Sequence, residues 1–302
     1  MSNEEDYIDL KKILNIFSQK KFFISVSSAL FVLVGVIYAL SLPNLYKSES
    51  LLISSSEDTN SSVSQSVGNF AALAGIEIST GESSAERQLT IATNTLKSRK
   101  FFRIFVDKYN LMPLILAGKG YDSTTKQVTF NQNRYNPITS SWASKFQDGG
   151  GVSYEDAYDI FWSKYASFNQ GEELNVYELT VTYFSPEISK EWNELLINEI
   201  NDYMKNEDRK LSQKLLDYYQ QKLNDSTLLS INNVISALMS SRLRTLALIE
   251  SDPNYVFTPV DPAYVPEKKD SPSRSIIVLA SLFLGLIFSI TYILLKEIFR
   301  SK

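Results

Sequence analysis

No cysteine and no histidine occur anywhere in the sequence. The first absence excludes disulfide staples, thiolate zinc sites and cysteine nucleophiles. The second excludes a Ser-His-Asp triad and His-ligated metals. Enzymes without either residue rely on carboxylates, Lys or Tyr. A basic excess is also missing, since 30 Lys and Arg face 34 Asp and Glu for a formal net charge of -4. Nucleic acid is therefore not an expected partner. Nor is there a phosphate loop, because Gly118-Lys119 lacks the upstream glycine and the following Ser or Thr. Ser and Tyr clusters have no base to activate them. No catalytic residue, cofactor or metal site is expected. The 302 residues suffice for one or two domains with a sizeable core.

Two long apolar runs stand near opposite ends of the chain. Phe22 to Leu42 contains no charged residue, and its 21 residues span roughly 31 Å as a helix, close to the hydrocarbon core of a bilayer. Ile276 to Leu295 is the second uncharged run. Both are read as transmembrane helices. Cleavage of the first as a signal peptide is the weaker reading. Ala39-Leu40-Ser41 resembles a cleavage site, but the preceding region is long and acidic and the apolar run exceeds a usual signal core. Lys11, Lys12, Lys20 and Lys21 precede the first span, and Lys296, Arg300 and Lys302 follow the second. The positive-inside rule then places residues 1–21 and 296–302 in the cytoplasm and 43–275 in the periplasm. Lys268, Lys269 and Arg274 oppose that pattern, but long loops translocate largely regardless of charge.

The loop reads as mixed α and β. Tyr46 to Ser54 is a strand, and Ser54 to Ser66 is a Ser-rich loop. Asn69 to Ile76 is small and apolar, as in a short helix or contact patch. Ser83 and Glu86 form a capping box before Leu89, Ala92 and Leu96. Ser98 to Tyr109 has Phe102, Phe105, Val106 and Tyr109 on one helical face. Gly118 to Gly151 is polar and reads as partly mobile loop. Ser153 with Asp156 starts another helix, and Tyr177, Leu179, Val181 and Tyr183 alternate as a half-buried strand. Tyr255 to Thr258 is strand-like and expected to pair with Tyr46 to Ser54 in a membrane-proximal sheet.

A stretch from Glu187 to Asp252 contains neither Gly nor Pro. Ser185 is its N-cap, Pro186 takes the first helical position and Glu187 complements the dipole. Trp192, Leu196, Ile200 and Met204 mark one face. Leu228, Ile231, Ile235 and Leu238 step at three and four, as in a coiled-coil seam, before Arg242 interrupts. A continuous helix over about 186–250 would be roughly 98 Å long. A hairpin folded at Asn224 to Thr227 is the alternative. The single helix could not bury its apolar face within so small a domain, so it would pack against copies of itself. The four seam residues are the candidate oligomer contacts. Pro259, Pro262, Pro266 and Pro272 then make a stiff lead, 259–272, into the second span. The pairs Glu172-Glu173 and Glu207-Asp208 are read as a solvated turn and a solvated helix face rather than as general acid and base.

Four segments carry a family resemblance: Glu86 to Pro113 (ERQLTIATNTLKSRKFFRIFVDKYNLMP), Glu155 to Phe161 (EDAYDIF), Leu179 to Met204 (LTVTYFSPEISKEWNELLINEINDYM) and Val260 to Leu279 (VDPAYVPEKKDSPSRSIIVL). In them the chain resembles the bacterial chain length determinants, or Wzz-type polysaccharide co-polymerases, and the resemblance covers nearly the whole chain. The resemblance implies an α+β inner-membrane protein whose two transmembrane helices flank a periplasmic domain, with a membrane-proximal α/β base and a long extended helix. It implies a bell-like homo-oligomeric ring without catalysis. Such a ring acts with a separate polymerase on lipid-linked polysaccharide such as O antigen. Pro259, Pro262, Pro266 and Pro272 match the family's Pro-rich motif, although Ser273-Arg274 stands where Lys-Arg is more usual. Gly285 matches a small packing residue of the second span. The other expectations to weigh are a capsule or exopolysaccharide co-polymerase working with a separate kinase or outer-membrane channel, a periplasmic sensor and a carboxylate-based glycan hydrolase. The seven residues after the second span argue against an attached kinase and against a sensor output domain.

Overall fold

The computed structural model describes residues 20–55, 84–144, 152–171, 176–225 and 228–300. In chain order its elements are α1 (Lys21–Ser41), β1 (Tyr46–Ser54), α2 (Ser84–Leu96), α3 (Arg99–Lys108), α4 (Met112–Ala117), β2 (Gly118–Asp122), β3 (Gln127–Phe130), β4 (Tyr135–Asn136) and β5 (Ser141–Trp142). They continue with α5 (Tyr154–Ile160), a π-helical turn at Phe161–Tyr165, β6 (Ala166–Gln170), β7 (Val176–Tyr183), α6 (Pro186–Asp225), α7 (Leu229–Ser251), β8 (Phe257–Asp261) and α8 (Arg274–Arg300). The chain divides into two units, residues 1–45 with 269–302, and residues 46–268.

In the smaller unit α1 pairs with α8. Both are long and apolar enough to cross a membrane, and only 17% of each apolar window is buried. The core helix of a soluble protein would be mostly covered, whereas here Leu30, Leu33 and Ile37 on α1 and Phe283, Leu284 and Ile287 on α8 point outward. That is the pattern lipid solvates. The contact runs the length of the pair, with Phe23 on Tyr292 and Phe31 on Phe288, ring centroids 5.4 Å apart in each case. Removal of α1 as a signal peptide would strip α8 of this partner.

The larger unit is built on a four-stranded antiparallel sheet in the order β6-β7-β1-β8. The alternation expected along β7 holds: Tyr177, Leu179, Val181 and Tyr183 are buried and Glu178 is exposed. The β1 strand begins and ends where its sequence pattern does. Its pairing with β8 is as expected, but β8 runs from Phe257 to Asp261 rather than from Tyr255 to Thr258. Pro259 is tolerated because β8 is an edge strand.

Helix α6 lies on one face of this sheet and buries Trp192, Leu196, Ile197, Ile200 and Met204. An aromatic core forms where it meets α3, the π-helical turn and β7. Trp192 packs tilted against Tyr183 at 4.5 Å and Phe161 at 5.8 Å, and Phe161 reaches Phe102 and Phe105. The Tyr183 hydroxyl donates to the Leu114 carbonyl at 2.8 Å. A Cβ at Gly118 would lie 2.5 Å from that same carbonyl and from the Tyr183 hydroxyl, so only glycine fits. Two sequence-expected caps are present, Ser153 Oγ accepting from Glu155 N–H and Ser185 Oγ from Ile188 N–H, and Ser98 Oγ adds a third by accepting from Phe101 N–H. Each contributes about 1 kcal/mol.

Two expectations are corrected. The stretch read as loop between Gly118 and Gly151 contains two hairpins, β2–β3 and β4–β5. Phe130, Tyr135 and Trp142 cluster beneath them, an apolar nucleus too sparse for a periodicity reading. The single helix over about 186–250 is instead two antiparallel helices, α6 of 40 residues and α7 of 23. Arg209 Nη2 donates to Glu250 Oε1 at 2.9 Å, which fixes the return of α7 along α6. The first helix ends at Asp225 and the second begins at Leu229, beside the sequence's weak point. Asn69 to Ile76, Ser83, Glu172-Glu173 and most of the Ser-rich loop lie outside the described residues.

Candidate functional site

No group of three or more acidic side chains that could hold a metal ion is present among the described residues. The carboxylates instead serve structure. Glu199, 5% exposed on α6, accepts from Lys108 Nζ at 2.5 Å and from the Tyr109 hydroxyl at 3.0 Å. The bond to Glu199 raises the Lys108 pKa.

Asp208 corrects a further expectation. It does not lie on a solvated helix face, but turns into the junction of α2, α6 and the segment before β8. It accepts from the Tyr255 hydroxyl at 2.9 Å and from Gln88 Nε2 at 3.4 Å. Burial pushes its carboxyl pKa up, only partly offset by the Tyr255 bond and the Arg242 charge. Glu207 beside it stays on the surface and pairs with Lys210 at 3.1 Å. The two carboxylates of this pair therefore do not face a common substrate position.

Two asparagines on α6 were not singled out by sequence. Asn193 Nδ2 donates to the Leu179 carbonyl at 2.9 Å and to the Ser48 carbonyl at 3.2 Å, and its Oδ1 accepts from Ser50 Oγ at 2.7 Å. Asn201 Oδ1 accepts from Val256 and Phe257 N–H at 2.8 and 3.0 Å, and its Nδ2 donates to the Phe257 carbonyl at 2.9 Å. They stitch the helix to β7, β1 and β8. The available signal was a pair of amides eight residues apart beside an otherwise apolar stripe.

The surfaces expected to carry function are separated by the fold. Pro259, Pro262 and Pro266 belong to the larger unit, where Pro259 pairs with Leu52 and Pro266 is buried. Pro272 belongs to the span unit, where its carbonyl accepts from Lys269 Nζ at 3.3 Å. A Cβ on Gly285 would stand 2.9 Å from Phe31 Cβ and 3.0 Å from Ser28 Cα, so the glycine sits at a close approach of α1 and α8. Gly35 makes the reciprocal approach to Ser281.

Of the seam residues, Ile235 is 8% exposed and packed within the chain. Leu238 is half-buried, and Leu228 and Ile231 are 60% and 45% exposed. Leu211, Tyr218, Leu229, Leu243 and Leu248 add further exposed apolar side chains to the hairpin. A two-helix hairpin cannot cover every apolar residue of its own length.

Residues 6–108 match the sequence profile of the chain length determinant protein family, Wzz. The resemblance is to the polysaccharide chain length determinants. The matched stretch is about a third of the chain and holds the first span, β1, α2 and α3. Glu86 to Lys108 of the first motif segment falls inside it, while the other three segments lie beyond. Among solved structures, a full-length bacterial polysaccharide co-polymerase is 13% identical, with TM-score 0.40, covering 97% of this chain and 99% of its own. A fragment of WzzB, a polysaccharide co-polymerase from Salmonella Typhimurium, is 11% identical, with TM-score 0.30, covering 76% and 100%. A comparison with curated proteins finds no match.

Proposed function

We propose that this protein sets the modal length of a lipid-linked surface polysaccharide, with lipopolysaccharide O antigen as the glycan, and does so without catalysing a reaction. It acts as a homo-oligomeric ring beside a separate polymerase. Both termini are in the bacterial cytoplasm and residues 43–275 are in the periplasm. The observation that carries the reading is the chain length determinant match at residues 6–108, in a chain whose two apolar helices flank one large folded unit. The uncovered apolar side chains of the α6–α7 hairpin support self-association. The lysines before α1 support the orientation.

The test is deletion and complementation read by lipopolysaccharide banding on a gel. Deletion should turn a clustered length distribution into a featureless, mostly short ladder, and the gene should restore the cluster. An unchanged ladder in both strains overturns the O-antigen assignment and moves the same test to capsule or exopolysaccharide.

A further inference from the structure

Ile138 is 93% exposed, more than any other large apolar side chain among the described residues. It stands at the tip of the β4–β5 hairpin, where Asn136 to Ser140 are all exposed. Local bonds fix the tip. Asn136 Oδ1 accepts from Ile138 N–H at 3.0 Å, and the Thr139 and Ser141 hydroxyls bond at 2.7 Å. Below them Tyr135 pairs with Trp142, and Ala143 N–H donates to the Arg134 carbonyl at 2.8 Å. No Asp, Glu, Lys or Arg occurs from Tyr135 to Ser144. The neighbouring β2–β3 turn differs, with Asp122 and Lys126 in it.

The root of this hairpin lies at one end of the larger unit's sheet. There Tyr46, the first residue of β1, pairs with Tyr183, the last of β7. The Tyr183 hydroxyl reaches the Leu114 carbonyl of α4. Just beyond, the Leu116 carbonyl accepts from Arg134 Nη1 at 2.9 Å, and the Ala117 carbonyl from Asn131 N–H at 2.8 Å. Tyr46 is also where the chain arrives from the first span. It follows Leu42, the last residue of the apolar run, by a stretch of chain that reaches at most about 14 Å. The hairpin therefore grows from the end of the sheet that the chain tethers to the bilayer.

We propose that the β4–β5 tip inserts Ile138 into the bilayer interface on the larger unit's own side of the membrane, a shallow contact that fixes how that unit stands. The size of the tip decides for lipid over a protein partner. A stable protein interface covers about 800 Å² on each side and needs a matching shape. One aliphatic side chain on a hairpin of two-residue strands offers neither. A bilayer interface needs no matching surface. It takes up the apolar side chain, leaves the backbone groups of the turn hydrated among headgroups, and disfavours charge, which residues 135–144 lack. A lone Ile would not hold a soluble protein to a membrane, but the spans supply the anchor and the tip has only to orient.

The absence of native cysteine lets one label report on the tip. Full-length Thr139→Cys protein carrying the polarity-sensitive fluorophore NBD is placed in phosphatidylethanolamine–phosphatidylglycerol nanodiscs, with and without lipid bearing a nitroxide high on its acyl chain. Ser123→Cys in the β2–β3 turn is the comparison. The Thr139 label should emit at shorter wavelength than the Ser123 label, be quenched by the nitroxide lipid and be shielded from aqueous iodide. Adding Ile138→Asp or Ile138→Ser should abolish the lipid quenching and open the label to iodide, whereas Ile138→Leu should keep the lipid signal. All three should keep the parent's urea midpoint, and a lowered midpoint would show Ile138 packed within the protein and overturn the proposal. A Thr139 label as open to iodide and as little quenched by lipid as the Ser123 label overturns it, as does lipid quenching that survives Ile138→Asp. Shielding from iodide without nitroxide quenching assigns the tip to a protein partner and overturns it equally. None of these readouts involves glycan length, so failure here leaves the proposed function standing.

Discussion

Asn193 and Asn201 show how single polar side chains decide the position of a helix that apolar spacing only orients. Each is fully or nearly fully buried, and each uses both ends of its amide. Asn201→Ala would leave the Val256 and Phe257 amides buried without their acceptor. The expected cost is about 3 kcal/mol, seen as a lower urea midpoint of the full chain in detergent. Asp208 gives a pH signature. Its folded pKa is raised above the ordinary 3.8, so the folded state holds the proton more tightly. Stability from this group is therefore fully present below about pH 3.8 and is lost as the pH rises through the raised value. Asp208→Asn keeps an acceptor for Tyr255 and removes the titration, so its urea midpoint should vary less between pH 4 and 7. An equal slope in both proteins would show that the carboxyl does not contribute. These roles were hidden in the sequence because Asn and Asp at helical positions read as surface until a sheet is placed against them.

Among the elements, α1 and α8 were legible from length and apolarity, and their bounds moved by only a few residues. Charge-free runs of this length have one common solution in a bilayer. Their mutual register was not legible. Gly285 was picked out as a packing residue, but only the structure opposes it to Ser28 and Phe31. Gly285→Leu should splay the pair at a cost of about 1–3 kcal/mol. The absence of native cysteine makes this measurable. Cysteines introduced by Phe23→Cys and Tyr292→Cys should cross-link on oxidation, and much less so with Gly285→Leu added. The α6–α7 region shows the opposite case. Its helical period was plain, but periodicity does not distinguish one long rod from two helices joined by a short reversal. The Arg209–Glu250 contact, 41 residues apart, does so.

At the scale of the whole molecule, the hairpin separates residues that sequence treats as equivalent. Leu228 and Ile231 are open to a partner, whereas Ile235 is committed to the fold. Leu228→Glu with Ile231→Glu should lower the oligomer mass measured by light scattering in mild detergent and shift modal glycan length, with the monomer still folded. Ile235→Glu should destabilise the hairpin itself, with a lower thermal midpoint. Oligomers and glycan length unchanged by the first pair would remove this face as a subunit contact.

Composition alone fixed the absence of thiol and imidazole chemistry. Uninterrupted apolar runs marked the spans, alternation marked β7, apolar spacing marked α3, and capping residues marked the starts of α5 and α6. These features are local: each depends on residues within a few positions of one another, where backbone geometry repeats. Tertiary structure decided the hairpin reversal, the strand order β6-β7-β1-β8 and the burial of Asp208. Those outcomes depend on which distant segments exclude water from one another, a property that neither composition nor period encodes.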